Sequence, residues 1–491
     1  MESRLFLAFD LGAESGRTVL GRLSERRIQT RELTRFPNAP VHVLGHQHWN
    51  VYGLFEEIKK GIKAGLAEAG KQLESLAVDT WGVDFGLLAG DGTILGLPYA
   101  YRDDRTEGAM EGFFKRMPRK DIYERTGIQF LPFNSLFQLF ATARDSPTLL
   151  ERAESLLFMP DIFTFLLTGE KTSEFTIAST SQVLDPRLRT WDETILSALG
   201  LSSRIMPDVL APGTVIGTLL PSVSEDTGLQ DTQVIATASH DTAAAVAAIP
   251  ASGENWAYVS SGTWSLMGVE LPSPLIAPQT LAANFTNEGG VAGTIRFLKN
   301  IAGLWLLRQC RKEWSRSMEL SYDELIRMAG EAPPFKVFVD PDCPDFLNPQ
   351  SMPEAIRKFC LRIGQVPPLS PAETVRCILE SLALKYRQTL DQVRLLTGRA
   401  IERLHVIGGG SRNELLCQFT ADATNLTVLA GPAEATATGN IMVQALALGY
   451  VGSLSEIRAI VRNSVKVKTF EPAGRADWDR AYERFRYVTG L

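Results

Sequence analysis

Val234–Ala245 reads VIATASHDTAAA. Its β-branched and small residues suit a buried strand. Ser239-His240-Asp241-Thr242 closes that strand, and an Ala-rich, helix-favouring run continues through Ala248. A polar group at the carboxyl end of a buried strand, where a helix opens, is where α/β proteins place ligand chemistry. Asp241 is therefore the candidate general base. The competing reading is that Asp241 and Thr242 only cap the helix, since both residue types are favoured N-caps.

Working toward the amino terminus, Leu5–Asp10 is an apolar run ending in an acid. Leu11-Gly12-Ala13-Glu14-Ser15-Gly16-Arg17 follows, and Thr18-Val19-Leu20 resumes a strand pattern. In such a strand–turn–strand unit the glycines let backbone N–H groups approach a bulky anion, while Ser15 and Arg17 add donors. Asp10, at the strand end, could hold a hydrated Mg²⁺. A tight hairpin without a ligand fits the same residues, and no G-x-x-x-x-G-K-[ST] phosphate loop occurs. Between these segments Val51–Ala69 has helical apolar spacing. Asp79-Thr80-Trp81-Gly82-Val83-Asp84-Phe85 lies between two strand patterns. There Trp81 could be a sugar platform or a core residue.

Toward the carboxyl terminus, Ala248–Asn255 (AIPASGEN) reads as a domain boundary. Ala257–Met267 (AYVSSGTWSLM) is again strand, small turn and strand, which suggests an internal duplication with two phosphate-facing turns. Ser370-Pro371-Ala372-Glu373 has a capping-box pattern ahead of a long amphipathic helix that Gly398 ends. Leu404–Ile407 is a strand, Gly408-Gly409-Gly410 a turn against which a flat ligand could lie, and Asn413 leads the next helix. Gly431–Asn440 opens a helix rich in small residues, suited to close packing.

The chain has 491 residues, 45% hydrophobic and 22% charged, as expected of a soluble globular protein of two large domains or about three smaller ones. A net charge of −6 without a like-charge block argues against nucleic acid or an anionic membrane as partner. The amino terminus does not read as a signal peptide, and no window approaches ~18 consecutive apolar residues. The cysteine count is 5, widely spaced and without a C-x-x-C pair, which suits a reducing cytoplasm rather than a disulfide framework or a zinc site. His42, His46 and His48 lie in what reads as a loop, with no acid or cysteine beside them in sequence.

Taken together, DTWGVDF (79–85), YRDDRT (101–106), GIQFLPFNSL (127–136), SHDTA (239–243), SSGTWSLMG (260–268), NEGG (287–290), LKNIAGLWLL (298–307) and HVIGGG (405–410) resemble the FGGY family of carbohydrate kinases. The resemblance runs from about Leu5 to Leu448. It implies an α/β, two-domain actin-like (ribonuclease H-like) ATPase fold with a duplicated core and a central cleft that closes on the sugar. The implied domains are 1–247, carrying the sugar site and part of the phosphate site, and 254–450, binding nucleotide, with 451–491 as an extension.

The strings are most similar to the branch of the family that phosphorylates the 1-hydroxyl of L-rhamnulose in L-rhamnose catabolism. That implies ATP as co-substrate, Mg²⁺ as cofactor, no nucleic-acid or membrane partner, a cytoplasmic location, and a monomer or dimer. Carried over by position, Asp241 would be the base, while Trp81, Gly82, His240, Thr242 and Asn300 would meet the sugar. Ala13, Glu14, Ser15, Gly16, Arg17, Thr263, Arg308 and Gly410 would meet ATP, and Asp10 would hold Mg²⁺ through water. Trp81 and Phe85 could wall the sugar's methyl end. Glu14 stands where a Ser is common in that branch, and Arg308 where a Gln is expected. The alternatives are a kinase for L-fuculose, D-xylulose or glycerol, or a non-catalytic actin-like ATPase that senses sugar.

Overall fold

The computed structural model describes residues 3–70, 73–316, 318 and 320–490. The chain divides into two compact units. The first comprises the chain up to Ser252 together with Glu270–Phe297 and Ala435–Ser464; the second comprises Gly253–Val269, Leu298–Glu434 and the chain from Val465 on.

The first unit is built on a sheet of six strands in the order Thr214–Thr218, Gln233–Ala236, Leu73–Thr80, Arg4–Leu11, Ser15–Ser24 and Arg27–Pro37. Successive pairs run antiparallel, parallel, parallel, antiparallel and antiparallel. Arg4–Leu11 and Leu73–Thr80 are buried along nearly their whole length. That is why they read as continuous apolar runs rather than as alternation. Their parallel register sets Asp10 beside Asp79 at the carboxyl ends.

Two helices close this end of the sheet. Asp241–Ala247 follows the strand Gln233–Ala236, and Ala435–Ala447 returns to the first unit from late in the chain. Their small residues allow a near-contact of backbones: a Cβ on Gly439 would stand 1.7 Å from the Ala244 carbonyl oxygen. The longer helix also lays a polar ladder on the strands. Gln444 donates to the Leu7 carbonyl and accepts from Ser75 Oγ, and Asn440 Nδ2 donates to Asp79 Oδ2 at 2.6 Å.

In the second unit Lys468–Phe470, Thr427–Ala430, Arg403–Ile407, Trp256–Ser261 and the start of Trp264–Leu271 pair in that order: antiparallel, parallel, parallel, antiparallel. This repeats the strand directions of the first sheet from Thr214–Thr218 to Ser15–Ser24, so the duplication suggested by the two hairpins extends to the sheets. The long helix is Pro371–Thr397. Ser370 accepts from Glu373 N, and Gly398 ends the helix in a left-handed conformation at φ 66°. The Glu373 carboxylate reaches Leu369 N, one residue before the cap.

His42–His48, read as a loop, is a short hairpin of Val41–Val43 and His46–His48. Among the described residues no helix is long and apolar enough to cross a membrane, and all 5 cysteines are free.

Candidate active site

Three short polar contacts fix the Asp241 segment. Thr80 N donates to Ser239 O at 2.9 Å, Ser239 N to Glu174 Oε2 at 3.1 Å, and His240 N to Thr176 Oγ1 at 3.1 Å. Glu174 caps the helix Phe175–Ala178 and is wholly buried, which pushes its carboxyl up to about 7. His240 is the N-cap of Asp241–Ala247 but makes no side-chain cap bond, so Asp241 is the first helical residue. The reading in which Asp241 serves only as the cap therefore does not hold.

The Asp241 side chain keeps 31% of its surface accessible, yet protein surrounds it closely enough that burial, and then the Asp10 charge, push its carboxyl up to about 7. Thr242 Oγ1 donates to Oδ1 at 3.0 Å, and His240 Nε2 lies 3.5 Å from the same oxygen. Asp79 is fully buried, and burial followed by the Asp10 charge holds its carboxyl well above the usual range. Its Oδ2 accepts from Asn440, whereas its buried Oδ1 has no hydrogen-bond partner among the described residues. Asp10 is buried and takes Arg17 Nε at 2.9 Å and Nη2 at 2.6 Å, both on Oδ2.

The turn that carries Ala13, Glu14, Ser15, Gly16 and Arg17 closes with Gly12 N donating to Ser15 O at 2.9 Å. Its backbone is braced by Asn38, whose N donates to Glu14 O and whose Nδ2 donates to Gly12 O. Gly16 packs against Phe36, where a Cβ would stand 2.3 Å from the ring, so a packing reason for this glycine exists beside any role toward an anion.

Trp81 is 6% exposed, leans on Trp49 with ring centres 4.2 Å apart, and donates Nε1 to Asp84 Oδ2 at 3.0 Å. Asp84, fully buried, also accepts from Trp49 Nε1, Tyr101 N and Gln138 Nε2, and burial pushes its carboxyl to about 6. Gly82 adjoins His240: a Cβ there would lie 3.4 Å from Nε2. Val83 next to it has φ 66°, a strained conformation for a β-branched residue. Its N donates to Thr180 Oγ1 and its O accepts from Ser135 Oγ, which hold it there. Phe85 packs in the aromatic core with Phe113, Phe137 and Phe158 rather than standing open as a sugar wall, in a strand whose four residues are all buried.

The other sequence-predicted residues lie in the second unit. Arg308 Nη1 donates to Thr263 Oγ1 at 2.8 Å, in a turn that Gly262 N closes onto Trp264 O at 2.8 Å. Gly410 sits against the same hairpin: a Cβ would stand 2.1 Å from Ser261 Oγ and 2.9 Å from the Ser261 carbonyl oxygen. Asn300 is on the strand Ile295–Ala302. The structure thus gathers Asp10, Arg17, Gly82, His240, Asp241 and Thr242 in one unit and Thr263, Arg308 and Gly410 in the other.

Sequence reasoning passed over Glu174 and Asn440, and took Asp79 and Asp84 only as carboxylates beside Trp81 that could meet sugar hydroxyls. Asp79 is an acid inside the largely buried strand Leu73–Thr80, whereas Asp84 lies in the connection just before the strand Phe85–Leu88. His46 proves to have acidic company after all, since its Nδ1 lies 3.0 Å from Asp103 Oδ1 with Asp104 nearby. Asp103 is already taken by Gln47 N and Arg105 N, so its carboxylate serves the loop.

Residues 5–248 match the N-terminal domain, and 257–448 the C-terminal domain, of the FGGY family of carbohydrate kinases. A rhamnulokinase of Bacteroides thetaiotaomicron is 49% identical over 481 residues, 98% of this chain and 98% of its own length. A rhamnulokinase of Pectobacterium carotovorum is 42% identical over 492 residues, covering 100% of this chain and 97% of its own length. Among solved structures, a ligand-bound xylulose kinase of Lactobacillus acidophilus aligns with a TM-score of 0.81 at 15% identity over 99% of this chain and 97% of its own. A glycerol kinase of Plasmodium falciparum with ADP gives 0.77 at 14% identity over 98% of each chain. At those identities the likeness is one of fold.

Proposed function

The chain belongs to the FGGY family of carbohydrate kinases, and from that premise we propose that it transfers the γ-phosphoryl group of ATP to the 1-hydroxyl of L-rhamnulose, as a cytoplasmic step of L-rhamnose breakdown. The products are ADP and L-rhamnulose 1-phosphate. The choice of sugar rests on the full-length likeness to rhamnulokinases. The observation that carries the chemistry is Asp241, an accessible carboxyl poised near neutrality at the first turn of the helix Asp241–Ala247. A base whose pKa lies near the working pH combines availability with driving force.

In this reading Asp241 orients the sugar hydroxyl and receives its proton as the oxygen–phosphorus bond forms. Both His240 and Thr242 approach Oδ1, which assigns the proton to Oδ2. Phosphoryl transfer runs through a loose transition state, so holding the partners in line is the larger contribution, up to about 7–11 kcal/mol. His240, Gly82 and Thr242 position the sugar, with Asn300 as a further contact. The turn of Ala13, Glu14, Ser15, Gly16 and Arg17, with Thr263, Arg308 and Gly410, meets ATP.

The residues present fit Mg²⁺. Asp79 offers a buried oxygen without a hydrogen-bond partner, Asp10 stands beside it in register, and their mutual repulsion asks for a cation. Asp10 and Asp79 would hold it, and when bound it neutralises charge on the phosphates.

A coupled ADP-release assay tests the proposal, with Mg·ATP and L-rhamnulose, L-fuculose, D-xylulose, glycerol or no sugar. The expected result is the highest kcat/KM with L-rhamnulose and a silent blank. A different leading sugar removes the substrate assignment and leaves the kinase. No stimulation by any sugar removes the kinase and favours a sensor.

A further inference from the structure

Arg296 is fully buried, and nothing in the chemistry so far uses it. Its Nε donates to Gly289 O at 2.8 Å. Its Nη2 lies 3.0 Å from His240 Nδ1 and 3.1 Å from Glu288 Oε2. A guanidinium has donors only and stays protonated, so the 3.0 Å contact calls for the Nδ1 lone pair; Glu288 Oε2 is farther from Nδ1, at 3.5 Å, and pairs with Arg296 instead. The single ring proton of the neutral imidazole then sits on Nε2. That nitrogen faces Asp241 Oδ1 at 3.5 Å and borders Gly82. Burial and the adjacent Arg296 charge both hold His240 well below its usual pKa, which keeps the ring neutral. Carboxylate oxygens stand 3.5 Å from both ring nitrogens, Asp241 Oδ1 from Nε2 and Glu288 Oε2 from Nδ1, so what separates the tautomers is Arg296: the opposite one would set an N–H against a guanidinium N–H at 3.0 Å.

We propose that Arg296, backed by Glu288, is a positioning residue that locks His240 as its Nε2–H tautomer, so that one ring proton is always offered to the Asp241–sugar hydroxyl pair. Glu288 supplies the countercharge that lets a guanidinium occupy this interior. Arg296 touches neither substrate; it acts through His240. Its kinetic consequence rests on the kinase reading, whereas the tautomer does not.

The test uses the full chain with ¹⁵N-labelled histidine, the His240 signals being identified by their loss in His240→Gln. In the resting protein the expected spectrum has Nε2 protonated and Nδ1 bare. Removing the buried charge pair together, as Glu288→Gln/Arg296→Met, keeps the interior neutral. It should release the ring to the other tautomer or to an exchange average while circular dichroism stays native. The same variant should lose about tenfold to a hundredfold in kcat with KM for ATP unchanged, the scale expected of a misoriented reacting group. Arg296→Lys, which retains a donor, should recover part of both. A purely structural Arg296 would lower stability and leave the tautomer alone. The proposal is overturned by an Nδ1–H or doubly protonated His240 in the resting protein. It is equally overturned if the double variant keeps the Nε2–H form, or keeps kcat within twofold of an active parent. A parent inactive on every sugar removes the kinase reading, and the spectrum still decides the tautomer lock.

Discussion

The two units share a strand order but not a chemistry. In the first, the parallel register at the centre of the sheet sets Asp10 beside Asp79; in the second, the corresponding parallel pair ends with Ser260 beside Ile407. The first unit adds Asp241 and the Arg17–Asp10 ion pair, while the second offers a neutral hairpin with Thr263 under Arg308 and a glycine pressed against Ser261. A duplicated scaffold therefore supplies equivalent positions at strand ends, and the side chains placed there divide the work. Acids that repel one another suit a cation and a proton. Hydroxyls and exposed backbone suit a neutral or anionic surface that must be held without being changed.

The largest effect that would break this division is on the acidic side. Asp241→Asn should lower kcat by about 10²–10⁴-fold with nucleotide affinity nearly intact. Steady-state kinetics beside an ADP-binding titration checks this, and more than about a tenth of parental kcat would take the base away from Asp241. Gly439→Ala comes next. A methyl 1.7 Å from the Ala244 carbonyl oxygen must push the helices of the first unit apart. Denaturant unfolding should register a loss of about 2–4 kcal/mol.

Proton linkage gives a smaller and more diagnostic signal. Asp241 must be ionised to act, and its carboxyl sits at about 7, so kcat/KM should fall about tenfold per pH unit below that value and level off above it. Because the folded state binds this proton more tightly than the unfolded chain, the same group works against folding as pH rises from about 4 toward its folded value. Activity and this contribution to stability should move in opposite directions across that window. Comparison of unfolding midpoints for parent and Asp241→Asn at both ends of it reads the difference. On the neutral side, Arg308→Gln removes a donor to Thr263 and should raise KM for ATP severalfold with kcat unchanged. A fall in kcat instead would place Arg308 at the transferring phosphoryl group and blur the division.

The sequence disclosed what is local. Ser370 and Gly398 mark the ends of Pro371–Thr397 because caps and left-handed glycines act within a turn of the residues they stop. The paired hairpins were readable for the same reason, as was the helix opening at Asp241, although the strand before it stops at Ala236. Asp79 gains its place beside Asp10 from strand register and its hydrogen bond from Asn440, 361 positions away, and His240 acquired a fixed tautomer only through Arg296, 56 positions away. Such pairings carry no periodicity. Trp81 read equally as a sugar platform or a core residue, and its burial comes with an acid, Asp84, whose side chain has four partners from separate segments. Phe85 misled for a complementary reason: the strand Phe85–Leu88 is buried throughout, so no alternation marks which side chains face a site.

The helix Ala435–Ala447 carries a consequence for synthesis. Its contacts reach back 437 positions to Leu7 and 369 to Ser75. As the chain leaves the ribosome, the first strands emerge hundreds of residues before the helix that covers them. The pocket of Asp79 thus stays open, its buried acid without the Asn440 amide, until translation is nearly finished. Vectorial folding, in which the leading domain completes itself while the rest is made, is closed to this unit, and a ribosome that stops short of residue 447 releases a chain whose acidic sheet end cannot shut.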